Sequence, residues 1–223
     1  MSPPLIEANG LALVRNGKRI LDDVSFTLSA GKILAIVGES GSGKTMLLRL
    51  LAGLERPSEG RLRIAGIAAE RLTENRWRLL RQRMGIMLED GSLLHDLTLA
   101  ENLAFALIKQ GLAPEQLYAR LEHALVSFGL DQRCNAQASE LSASVSKLAQ
   151  LARALIIEPN LLLCDAPFDG LDGPTREDLT ADLGRRVSAQ RITLLITSRD
   201  RSYAAGLRAD VMELERGRLL PML

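Results

Sequence analysis

The chain has 223 residues, 47% hydrophobic and 25% charged, which is the composition of a folded globular protein and excludes a disordered one. That length suits one domain, or one domain with an inserted lobe, and can bury a sizeable core. A formal net charge of +1 leaves neither a basic face for nucleic acid nor an acidic tail.

The opening MSPPLIEANG has no basic flank followed by an apolar run, so it does not read as a signal peptide. LALV (11–14) and RILDDVSFTLS (19–29) predict two early strands, apolar and β-branched with turn residues between them. KILAIVGESGSGKTMLLRLLAGL (32–54) predicts a buried strand, a glycine-rich loop and an apolar-rich helix. GRLRIAG (60–66) is a further short strand, TENRWRLLRQRM (73–84) a charged helix capped by Thr73, and GIMLED (85–90) the next strand.

From about residue 93 to 157 the pattern is helical throughout. TLAENLAFALIKQG, APEQLYARLEHALVSFGL and SASVSKLAQLARALI carry that period with no strand between them, which predicts an all-α insertion. Alternation then resumes with NLLLCDA, GPTREDLTADLGRRVSAQ, RITLLIT, RSYAAGLRA and VMELERGRLL. Strands alternating with helices argue for an α/β protein with a mainly parallel sheet covered on both faces. No apolar stretch approaches the roughly 20 residues needed to cross a bilayer. The two cysteines, Cys134 and Cys164, match no metal-ligand spacing and fit a reducing compartment, with Cys164 in an apolar run that favours inert packing. The expectation is a soluble cytosolic chain whose membrane role, if it has one, runs through a partner.

GESGSGKT matches the phosphate-loop pattern at Gly38, Gly43, Lys44 and Thr45, with Ser40, Gly41 and Ser42 between them. Glycines let successive backbone N–H groups curl toward phosphate oxygens, and the N-terminus of the following helix favours the anion. Lys44 is then expected to reach the β- and γ-phosphates, and Thr45 to offer a hydroxyl to Mg²⁺. The loop sits between a predicted strand and a predicted helix, the context the pattern requires. A nucleotide with Mg²⁺ is therefore the expected ligand. Downstream, LLLCDAPFDGLD (161–172) runs four apolar residues into Asp165, a second expected Mg²⁺ contact, and then into a Gly-Leu-Asp turn.

The order of strand pair, phosphate loop, helical insertion, Asp-ending strand and Gly-Leu-Asp turn resembles the nucleotide-binding subunits of ABC transporters over nearly the whole chain. MGIMLEDGSLLHDLTLAENLAFAL and SELSASVSKLAQLARALIIEPNLLLCDAPFDGLD carry the detailed match. Among such subunits the chain looks most like those that power bacterial phospholipid trafficking between the two envelope membranes. The resemblance implies a P-loop NTPase fold with an N-terminal antiparallel strand region. It implies one domain over 1–223, with an ATP-binding core at 1–92 and 158–223 and a helical subdomain at 93–157. It also implies an integral-membrane permease partner, a second ABC subunit in a homodimer or a heterodimer, and a place on the cytoplasmic face of the inner membrane. Two such subunits sandwich ATP head to tail, each ATP held by one phosphate loop and the other subunit's signature motif.

Against that pattern the chain departs at several positions. The glutamine expected to touch Mg²⁺ is Glu89, either an altered metal ligand or a solvated loop residue. The signature glycines are replaced in Leu141-Ser142-Ala143-Ser144-Val145; Ser142 can still donate to phosphate in trans, while the Cβ atoms of Ala143 and Ser144 crowd the approach. Read without the resemblance, the same segment is the capped start of a helix. Ala166 stands where a glutamate polarises the attacking water. Ser198 or Asp200 occupies the switch-histidine position, since His95 and His123 both lie in the helical insertion and read as exposed. Arg15 matches the aromatic that stacks on adenine, and is either a stacking guanidinium or a solvated arginine. Asp172 matches the aspartate that contacts the partner subunit. Leu93, Leu94 and Leu97 are candidate permease contacts.

The pattern reads as an ATP binder with weak or absent turnover, with no catalytic residue intact. Two functions fit: a degenerate ABC subunit of a transporter, or a non-transport adaptor in which nucleotide sets a conformation. A small-molecule kinase fits poorly, because the signature block has no role in one.

Overall fold

The computed structural model describes residues 4–88 and 93–221. Strands β1 (Pro4–Arg15) and β2 (Lys18–Ser29) form a long antiparallel ribbon, and β4 (Glu59–Ile64) with the two-residue β5 (Ile67–Ala68) extends it in the order β2-β1-β4-β5. In β2 the residues Leu21, Val24, Phe26 and Leu28 are buried while their neighbours face outward. This is the alternation expected of a sheet with one dry face. β1 breaks that alternation between Ala8 and Leu13 because its register against β2 shifts there.

The second sheet runs β10-β9-β3-β8-β7-β6, from β3 (Ile33–Val37), β6 (Met84–Met87), β7 (Leu161–Asp165), β8 (Thr193–Ser198), β9 (Asp210–Glu215) and β10 (Arg218–Pro221). All pairings are parallel except the β9–β10 hairpin. VMELERGRLL, expected as one segment, is therefore two strands turned back at Arg216–Gly217, where both residues have positive φ. β7 and β8 are buried along their whole length. Continuous apolar runs rather than alternation are what a parallel sheet covered on both faces demands.

α1 (Lys44–Leu51) packs Leu47, Leu48, Leu50 and Leu51 into the core between the two sheets. α2 (Glu74–Arg81) begins at Thr73, whose hydroxyl accepts from Arg76 N. Trp77 of α2 lies flat over Gly53 just past α1, so close that a Cβ on Gly53 would stand 2.3 Å from its ring atoms. On the other face of the parallel sheet, α6 (Gly173–Gln190) and α7 (Ser202–Leu207) bury Leu179, Leu183, Val187, Tyr203 and Leu207.

Between β6 and β7 the described elements are helical: α3 (Leu99–Leu107), α4 (Pro114–Ser127) and α5 (Ala143–Leu155), with short 3-10 turns. They enclose a separate apolar cluster around Leu99, Leu103, Leu125, Leu130 and Ala149. α3 starts with a reciprocal Thr98–Glu101 cap. Leu93 is 3% exposed inside this cluster, so it is a core residue and not a docking contact. Asn102, fully buried, pins the segment before α3: it accepts from Leu94 N at 2.7 Å and donates to the carbonyls of Leu94 and Thr98. Leu94 is left exposed and Leu97 half-buried. His95 and His123 are both exposed. Among the described residues no helix is long and apolar enough to cross a membrane.

Candidate nucleotide site

The carboxyl ends of β3, β8 and β7 lie side by side, and the crevice outside such ends is where open α/β sheets bind ligands. There Gly38–Gly43 leaves β3 and enters α1. Gly38 N donates to Ser198 O at 3.1 Å, which fixes the loop to the end of β8. A Cβ on Gly38 would stand 2.3 Å from Leu214 O, so only glycine allows that closeness. Gly41 and Gly43 have φ of 78° and 110°, conformations that suit residues without a Cβ.

The loop borders a cleft of about 360 Å³ lined by Ser40, Gly41, Gly43, Lys44, Thr45, Asp165 and Ala166, together with Ile20, Met46, Asp169 and Arg199. Ser42 sits behind it, buried, with its N–H on Glu39 O. Lys44 is buried and folds over the loop, donating to Gly38 O at 2.6 Å, Glu39 O at 2.8 Å and Ser42 Oγ at 3.4 Å. Burial lowers its pKa, and the nearby Asp165 and Asp169 charges oppose that shift. Asp165 is 3% exposed; Thr197 Oγ1 donates to its Oδ1, while Oδ2 is buried with no partner among the described residues. An orphaned buried carboxylate oxygen beside a threonine hydroxyl and a glycine cradle fits Mg²⁺ and phosphate. Lys44, Thr45, Asp165 and the loop N–H groups are the residues that would hold them.

The turn after β7 is built tightly. Ala166 N donates to Thr197 O at 3.0 Å, and Lys147 of α5 donates to Ala166 O at 2.8 Å and also to Asp169 O. Lys147 was not signalled by the sequence, where it reads as a solvated helix lysine. Ala166 has φ 47°, a left-handed conformation that a Cβ disfavours. Ala166→Gly should therefore raise stability by about 1 kcal/mol, read as a higher urea midpoint at unchanged slope.

Several expected site residues stand elsewhere. Ser198 is 1% exposed and does not line the cleft: its hydroxyl donates to Asp169 Oδ1 at 3.2 Å and accepts from Asp200 N. Asp200 caps Ser202, accepting from its N and Oγ at 2.8 Å each. Those N–H and O–H bonds hold its pKa below the usual range. The residue that β8 delivers into the cleft is Arg199, one position further on, ion-paired through Nε to Asp169 Oδ2 at 2.9 Å. Arg15 does not line the cleft either, because its guanidinium is held by Glu55 at 3.2 Å beside Met46; Ile20 and Met46 supply the apolar wall. Ser142 caps α5 by accepting from Val145 N, with Ser144 Oγ 3.4 Å away. Ser142 and Ala143 are exposed and outside this chain's own cleft. Asp172 caps α6, accepting from Thr175 N at 2.9 Å, and that bond holds its carboxyl below the usual range. Cys164 is fully buried, and burial pushes its thiol pKa upward. Glu89 lies outside the described residues.

Chemically, the cleft can bind polyphosphate and a divalent cation, but its described carboxylates are committed. Asp165 accepts from Thr197 through Oδ1 and has only Oδ2 left for a cation, and both oxygens of Asp169 are engaged by Ser198 and Arg199.

A phosphate loop at the head of a parallel sheet, with a buried aspartate on the neighbouring strand end, defines a P-loop nucleotide-binding protein. The family model described as ABC transporter matches residues 21–169, more than half of the chain. The chain belongs to that family and is an ATP-binding domain within it. The lipoprotein-releasing system ATP-binding protein LolD of Chromohalobacter salexigens is 33% identical over 220 residues, covering 96% of this chain and 92% of that protein. The intermembrane phospholipid transport system ATP-binding protein MlaF of Escherichia coli is 32% identical over 197 residues, covering 88% and 73%. The methionine import ATP-binding protein MetN 2 of Salmonella choleraesuis is 34% identical over 203 residues, 91% of this chain but 60% of that protein, so the chain spans about three fifths of that relative. The fold is also that of MJ0796, a bacterial ABC transporter cassette solved as a dimer, with a TM-score of 0.88 at 24% identity and 96% of each chain covered.

Proposed function

We propose that this chain is the ATP-binding subunit of a membrane transporter that moves lipid or lipoprotein cargo, and that it binds Mg-ATP but turns it over slowly or not at all. One observation carries the second half: the cleft keeps Lys44, Thr45 and Asp165, while Ala166 faces it where a base would stand and, among the described residues, no uncommitted carboxylate replaces it. Loss of a positioned base removes a factor of about 10²–10⁴ in rate. Binding energy is then free to set a conformation without a fast chemical step. The cargo assignment rests on the relatives named for lipoprotein release and phospholipid transport, which match over more of their own length than the methionine importer does. ATP binding and turnover measured on the chain purified with its membrane partner test this reading. Turnover typical of a fully equipped cassette would overturn it.

A permease has a place to dock. Between α2, β6, α3 and the end of α5 lies a groove of about 560 Å³ with exposed Leu79, Leu94 and Phe105 on its walls. Arg78, Arg81, Lys109 and Arg153 line it as well, with no carboxylate among its described walls. An amphipathic helix with an acidic residue suits such a groove. The signature segment and Asp172 are proposed to meet a second ABC subunit, in a homodimer or a heterodimer. Leu94→Asp should lower attachment to the membrane partner about tenfold while ATP affinity stays unchanged, because its side chain is exposed in the groove and does not line the nucleotide cleft. Leu97, half-buried, is the poorer probe. A folded Leu94→Asp chain that still co-purifies fully with a permease would refute the docking site, and a chain that never recovers one would favour the adaptor.

A further inference from the structure

The cleft holds two cations, and they are used differently. Lys44 is buried and committed to the carbonyls of its own loop. Arg199 has a side chain 61% exposed, and its one hydrogen bond among the described residues is from Nε to Asp169. Its terminal N–H groups therefore meet no described acceptor. A guanidinium offers five donors in a planar fork suited to phosphate, and this one spends a single donor.

Its position is fixed by the sheet. Gly38 N on Ser198 O ties the end of β8 to the start of the phosphate loop, so Arg199 emerges next to the loop backbone. It shares the cleft wall with Asp165 and Ala166 of β7, the strand paired with β8, whereas the apolar wall comes from Ile20 in the other sheet and from Met46. A nucleotide with its base against Ile20 and Met46 and its phosphates along the loop brings its last phosphate toward Arg199. Asp169 lies in the same cleft as a negative charge that repels that phosphate and competes for the guanidinium.

On the nucleotide-binding reading above, we propose that Arg199 is the residue by which this cleft distinguishes a triphosphate from a diphosphate, exchanging its Asp169 partner for the terminal phosphate. The carboxylate and the phosphate are alternative anions for one cation. The structure shows the first of these pairings, Arg199 Nε on Asp169 Oδ2 at 2.9 Å. The exposure of the Arg199 side chain eases the exchange, since solvent screens its half of the pair, while the more buried Asp169 keeps Ser198 as a partner.

The test is calorimetric titration of Mg-ATP and Mg-ADP, separately, into the purified chain and its variants. Arg199→Ala should lower ATP affinity about tenfold, the worth of a partly exposed charge-assisted contact, and leave ADP affinity within about twofold. Arg199→Lys should lose a smaller part, keeping the charge without the fork. Asp169→Asn should raise ATP affinity severalfold with ADP unchanged, because the competing anion is gone. Equal losses for ATP and ADP in Arg199→Ala, or no loss for either, would overturn the inference while leaving the nucleotide reading intact. An Asp169→Asn chain with unchanged ATP affinity would remove the exchange. A wild-type chain that binds neither nucleotide would sink the phosphate-loop reading itself, and this inference with it.

Discussion

Lys44→Ala should weaken ATP binding by about 100-fold, measured by calorimetry on the folded chain. The size follows from where the ammonium sits. It is 9% exposed, so a phosphate meeting it is not screened by bulk water as it would be at a surface lysine. Its two carbonyl partners, Gly38 O and Glu39 O, show that the donors already point into the hollow of the loop. Truncation removes both the charge and the group that satisfies those carbonyls, so a smaller loss of stability, about 1 kcal/mol, should accompany the loss of affinity. Melting curves separate the two effects. Unchanged affinity would mean that the glycine-rich turn does not hold phosphate, whatever its resemblance.

That turn was the most legible part of the chain, and the reason is local. GESGSGKT needs glycines at particular φ values between an apolar strand and an apolar helix, and all of that information lies within one stretch. β7 and β8 were legible for a related reason: strands buried on both faces have continuous apolar sequences. The mainly parallel sheet and the helical stretch between β6 and β7 followed from the same periodicities, while the separate antiparallel sheet was implied by the family resemblance.

What the sequence hid depends on partners far along the chain or on a shift of one residue. Thr197, Ser198 and Arg199 are consecutive at the end of a strand, where successive side chains point to opposite faces. One step decides that Arg199 and not Ser198 enters the cleft, and with no histidine in the segment nothing local fixed that step. Arg15 reads as a stacking candidate until Glu55, distant in sequence, is seen to hold it. Leu93 and Leu94 are chemically identical neighbours; Asn102, a buried polar residue in an apolar helix, sends one into the core and leaves the other on the surface. Lys147 gave no signal, because its acceptors are backbone carbonyls of the turn after β7.

The place of Arg199 in the cleft also bears on the proposed slow turnover. Ala166→Glu alone should raise ATP turnover by less than about tenfold, well short of the 10²–10⁴ that a positioned base supplies. A glutamate at 166 would share the cleft with Arg199, whose terminal N–H groups have no described acceptor and would pair with it. Such a pair stabilises the carboxylate and weakens it as a base. The backbone at this position stays left-handed and clamped by Lys147, so the new side chain must also leave a strained turn in one direction. On the proposed dimer the signature segment would set a second limit, since Cβ atoms at Ala143 and Ser144 would hold the backbone away from the departing phosphoryl group of the other subunit's nucleotide. Groups that act as a unit are strongly non-additive. Combining Ala166→Glu with Arg199→His, Ala143→Gly and Ser144→Gly should therefore exceed the product of the single effects, reaching at least about 100-fold over the parent chain. Phosphate release from the assembled complex is the measurement, with Ser198→His run beside it as a control expected to do nothing, because that side chain turns toward Asp169 and is buried. If Ala166→Glu by itself matched the fourfold variant, neither Arg199 nor the signature segment would limit the reaction, and the missing base alone would account for slow turnover.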